Sequence, residues 1–130
     1  MKKFIKPTVF SISMLCCCVS YANQISSGFL ENEIKAAHSE YLNGSIDSGL
    51  YALNALARLL ESDKSIALSS KTGENNLAFT YLRIGLLHEK SGNKVEADIY
   101  FNKALSLYQG ESTNIAHLKD AVERLDKSSS

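Results

Sequence analysis

Beyond residue 22 the chain contains no cysteine, because Cys16, Cys17 and Cys18 are the only three it has. A product lacking those residues has no disulfide, no thiolate metal site and no cysteine nucleophile. Nor does any stretch after residue 22 approach the 18 or so consecutive apolar residues of a membrane span, so a soluble product is expected. Neither charge dominates: 14 basic residues face 14 acidic ones. With no basic stripe, nucleic-acid binding is not expected. One proline, no tryptophan and 45% hydrophobic residues fit a single compact domain in 130 residues.

The first 22 residues have a different character. Lys2, Lys3 and Lys6 precede an apolar run from Val9 to Val19, and Ser20-Tyr21-Ala22 puts small residues at the two positions a signal peptidase reads. The pattern predicts a secretory signal over 1-22 and a product beginning at Asn23, in the periplasm or secreted. Loss of the three lysines leaves 11 basic against 14 acidic residues, a net charge of about −3. The alternative is a bacterial lipoprotein with a lipid anchor on Cys18, which follows Leu15-Cys16-Cys17; Cys17 is a poor substitute for the small residue that normally precedes the lipidated cysteine.

Residues 23-130 read as helices. Leu30, Ile34, Ala37, Tyr41 and Leu42 recur at helical spacing, and Asn43-Gly44-Ser45 then interrupts the pattern. The Asn43-Gly44-Ser45 sequon is read as a helix-breaking turn, since the signal looks bacterial. A second helix is expected from Ser48 to Leu60 on Leu50, Leu53, Leu56, Ala57 and Leu60, with Asp47 or Ser48 as N-cap. Residues 64-77 are polar and read as a linker, and the loop from Ser62 to Thr72 is either a contact element or merely solvated.

The densest signal lies between Ala78 and Gly110. Leu82, Gly85 and His88 share one helix, Ser91-Gly92-Asn93 breaks it, and Ala97, Phe101 and Ala104 follow on the next. Gly85 and Ala97 allow close approach of two antiparallel helices, beside which Tyr81, Phe101 and Leu105 fill space. This pattern resembles the tetratricopeptide repeat (TPR), a helix hairpin of about 34 residues with the form W-x2-L-G-x2-Y…A-x3-F. Tyr81 replaces the Trp, His88 the Tyr, and Gln109-Gly110 the terminal Pro, with Gly110 expected to end the helix as a left-handed C-cap. An ordinary helical hairpin meets the same spacings when small residues fall there by chance.

A shift of 48 residues superimposes an earlier hairpin on this one. Ala37 meets Gly85, Gly44 meets Gly92, Gly49 meets Ala97, Leu53 meets Phe101 and Asn54 meets Asn102. Residues 30-63 therefore resemble a degenerate repeat, separated from the unit at 78-111 by an insertion of about 14 residues beyond the usual period. Ser112-Thr113 then opens a helix over 112-127, with Ile115, Leu118, Ala121, Val122 and Leu125 on one face, charge opposite, and a frayed tail from Lys127. The expected fold is all-α: two TPR-like antiparallel helix hairpins plus a C-terminal capping helix.

Chemistry is sparse. His38, His88 and His117 lack the neighbours of a metal triplet, and after His88-Glu89 the second histidine of a zincin helix is replaced by Gly92. No nucleophile elbow, phosphate loop or dinucleotide fingerprint occurs. No enzyme activity, cofactor or metal is expected.

What the resemblance implies is a surface. The first helix of each TPR lines a concave groove, which by register contributes Phe79, Leu82, Arg83, Leu86 and Lys90 from the second unit and Ile34, His38 and Tyr41 from the first. The carboxylate clamp of this family would need Lys and Asn where Leu82 and Leu86 stand, so an apolar or amphipathic protein or peptide segment is the better match. Alternatively, with only two units, these side chains pack against the first hairpin. The expected function is a non-catalytic interaction or scaffolding module of the bacterial cell envelope. The alternative is a small helical immunity or exclusion inhibitor of one exported protein or envelope machine.

Overall fold

In the computed structural model the described residues are 26–62, 75–110 and 114–129, and they form five α-helices and no strand. The helices are α1 (Ser27–Asn43), α2 (Ile46–Ser62), α3 (Asn76–Lys90), α4 (Lys94–Leu107) and α5 (Ile115–Ser129). The expected signal over 1-22 with its cysteines, the start at Asn23, most of the linker and the Ser112-Thr113 pair lie outside the described residues.

Four of the five helix starts have a local cause. Ser26 Oγ accepts the Phe29 N–H at the head of α1. Helix α2 begins at Ile46, earlier than Ser48, because Ser45 Oγ takes the Ser48 N–H and thereby supplies the cap expected of Asp47 or Ser48. Asn93 and Asn114 do the same for the Glu96 and His117 N–H groups.

Between α3 and α4 the chain turns at Gly92, whose φ of 86° suits glycine. Gly110 is different from its expected role. It has no positive φ, and α4 ends at Leu107 with Tyr108 in extended geometry, its N–H bonded to the Ala104 carbonyl. The next residue is fastened elsewhere: Gln109 N–H donates to Asn75 Oδ1 at 2.8 Å, and Asn75 Nδ2 donates to the Gln109 carbonyl at 3.1 Å. Asn75 heads α3 without capping it, its amide being engaged across the hairpin. Asn75→Ala removes both bonds, for which about 1 kcal/mol is expected. A melting temperature lowered by roughly 4–8 °C would agree, and an unchanged one would not.

Both hairpins close on small residues. A Cβ on Gly85 would lie 2.6 Å from the Phe101 ring and 3.2 Å from the Ala97 carbonyl oxygen. A Cβ on Gly49 would lie 2.9 Å from Leu87 of α3 and 3.4 Å from the Glu40 carbonyl of α1. Ala37, Leu53, Ala97 and Phe101 are buried in one core that runs through both hairpins. The helices pack in chain order, α1 on α2, α2 on α3 and α3 on α4. Leu105 is only half-buried and lies outside that core.

Tyr81 joins the hairpins. Its ring packs against Tyr100 at 5.9 Å, and its hydroxyl donates to Glu61 Oε1 at the end of α2. Burial first, and then the bond to the Glu61 carboxylate, push the Tyr81 phenol well above its ordinary value. A phenol pKa higher in the folded state contributes stability that is complete below about pH 10 and lost as pH rises beyond it. Tyr81→Phe should therefore flatten the alkaline limb of stability against pH. Identical alkaline limbs for the two proteins would contradict this linkage.

Candidate interaction face

Helix α5 packs against α3 and α4, as a capping helix should, but its second half reaches α1 as well. Leu118 and Val122 are fully buried. One turn further on, Asp126 rather than Leu125 points inward, and Leu125 stays 43% exposed. That departs from the expected apolar face, and the reason is electrostatic. Arg83 Nη2 and Nε donate to Asp126 Oδ1 at 2.7 and 3.2 Å, and His38 Nε2 lies 3.1 Å from the same oxygen. The three side chains are only 14% (Arg83), 12% (Asp126) and 24% (His38) exposed. The helix also continues to Ser129, past the fraying expected at Lys127.

Tyr41 completes this cluster. Its ring stacks on His38, with centroids 6.5 Å apart and planes 10° from parallel, and lies 5.8 Å from the Arg83 guanidinium carbon. Burial raises the Tyr41 phenol, and the Asp126 charge raises it further, while Arg83 opposes the shift. At the other end of α5, Lys119 Nζ bonds Glu89 at 3.0 Å and sits 4.4 Å from the centre of the Phe101 ring. Lys119 thus ties α5 to α3 and α4 instead of belonging to a purely solvated face.

Two clefts flank the cluster. One of about 570 Å³ is lined by Tyr41, Leu42, Leu86 and Lys90 from α1 and α3, with Glu123 from α5. The other, about 320 Å³, is lined by Ile34, His38, Phe79 and Arg83, with Leu125 and Ser129 from α5. Seven of the eight residues expected at a groove therefore lie along these two clefts. Leu82 does not: it is 0% exposed and belongs to the core, because the α3 face it occupies is closed over rather than open. Leu86, one turn on, is half-buried and does line the larger cleft.

Asp126, Lys119 and Glu123 were not among the residues expected at this face. The signal for Asp126 was its place eight residues after Leu118 and four after Val122, on the buried stripe.

No protein-family model, curated protein or solved structure matches this chain. The arrangement must therefore be read from its own geometry. Among the described residues no helix is long and apolar enough to cross a membrane, and no group of three or more His, Cys, Asp or Glu is placed to hold a metal ion. His88 stacks on Tyr100 at 5.7 Å, and His117 lies beside its own helix cap.

Proposed function

We propose that this chain is an exported protein-interaction module of the bacterial cell envelope, non-catalytic, and built from two TPR-like hairpins. The export part rests on the lysine-led apolar segment at 1-22. The repeat part is supported by the 48-residue correspondence, whose paired small positions Ala37 with Gly85 and Gly49 with Ala97 are all buried between helices. The single observation that carries the interaction reading is the face formed by α1 and α3, where seven of the side chains expected at a groove line a pair of clefts around a charged cluster. Concave surfaces with an apolar floor and a few convergent polar groups are the common form of a binding site.

Placing a photoreactive amino acid at single positions in the living cell tests this reading. A discrete adduct with an envelope protein is expected from position 86, beside the larger cleft. None is expected from position 95, where Val95 is 71% exposed on α4. Adducts formed from position 95 and not from position 86 would move the interaction to another surface and sink the proposal.

A further inference from the structure

Resting on that reading, the occupant of the face can be named by its chemistry. We propose that α5 is a built-in stand-in for the partner: the face of α1 and α3 binds an amphipathic helix of another protein, bearing two apolar side chains four residues apart and a carboxylate four residues further on, and that helix displaces α5.

Three observations carry this. Helix α5 already sits against α3 and α4 and reaches α1 at Asp126, and Leu118, Val122 and Asp126 are its inward residues. Side chains facing one way on a helix recur at such spacing. The seat also selects charge, since Arg83 of α3 and His38 of α1 converge on one carboxylate oxygen. A partner helix with a carboxylate at that point gains the same two-helix bridge.

Finally, α5 holds its seat with few buried residues. Only Leu118 and Val122 of its residues are buried, against seven buried residues of α3, and clefts of about 570 and 320 Å³ remain on either side. Glu123 and Ser129 line those clefts from α5. Larger apolar side chains at the corresponding positions of a partner would fill space that α5 leaves empty, and segments with few buried contacts open at the lowest cost.

The test uses the full chain and a fluorescein-labelled synthetic peptide of sequence 115–129 carrying Glu123→Leu and Ser129→Leu. In fluorescence anisotropy the Asp126→Ala protein, whose own α5 is loosened, should bind the peptide at least tenfold more tightly than the unmodified protein. Adding Arg83→Ala to Asp126→Ala should weaken binding at least tenfold. Equal affinities for all three proteins would overturn the proposal. A dimer of the unmodified chain in light scattering would also overturn it, because a second copy would then be the source of the helix. Amide hydrogen exchange of the unmodified chain gives an answer even if a variant misfolds. Helix α5 should exchange at least tenfold faster than α3, and equal protection would show it to be a fixed part of the core. Failure of the peptide with a position-86 adduct still forming would remove this inference alone. Adducts confined to position 95 would remove the interaction reading itself.

Discussion

Leu82→Glu is expected to abolish cooperative folding. Leu82 is 0% exposed and belongs to the same buried core as Phe101, Ala97 and Leu118. Removing a buried leucine side chain costs about 2–5 kcal/mol. Placing an unpaired carboxylate in the same apolar site adds several more, in a protein class whose total stability is about 5–15 kcal/mol. Leu86→Glu, one turn later on the rim of the larger cleft and near Lys90, should cost about 1 kcal/mol or less and keep the helical dichroism. Thermal unfolding followed by far-UV dichroism distinguishes the two. A Leu82→Glu protein that melts like the unmodified chain would mean that the α3 face is open after all.

The second large effect is expected at the seam of the second hairpin. Ala97 is 1% exposed, and its carbonyl would stand 3.2 Å from a Cβ on Gly85. Ala97→Leu inserts three heavy atoms where two backbones nearly touch, and should cost about 1–3 kcal/mol by overpacking. At roughly 4–8 °C per kcal/mol for a domain of this size, the melting temperature should fall visibly. Glu96→Ala, on the same helix, should cost no more than about 0.5 kcal/mol. Gly85→Ala is a sharper variant. Its gain of about 1 kcal/mol in helix propensity is opposed by a Cβ only 2.6 Å from the Phe101 ring, so a stabilised protein would contradict the packing described here.

Much of this architecture was legible in the residues. The helices were readable because apolar side chains recur at three- and four-residue spacing, and the 48-residue shift located both seams through Gly49, Gly85 and Ala97. The parts that were not legible depend on partners distant in sequence. Asp47 and Ser48 were plausible caps, but the helix starts earlier, at Ile46, where Ser45 Oγ takes the Ser48 N–H. Gly110 was a plausible helix stop, but Gln109 is held by Asn75, which lies 34 residues away.

The face itself shows the same limit. Register on the helix placed Leu82 among exposed side chains, since periodicity finds a stripe without saying what covers it. Leu82 shares its buried core with Leu118 and Val122 of α5, and Asp126 of the same helix reads as solvated until Arg83 and His38 are brought beside it. A carboxylate taken from water is retained in such a place only when paired, and Arg83 and His38 supply that pairing to Asp126.

A double-mutant cycle between Arg83→Ala and Asp126→Ala tests most directly whether the second half of α5 lies against the α3 side of this face. Their side chains are mostly buried and 2.7 Å apart, so removing both should cost less than the sum of the separate losses, with a coupling of about 1–3 kcal/mol in urea unfolding. Losses that add with no coupling would mean that α5 does not occupy this face.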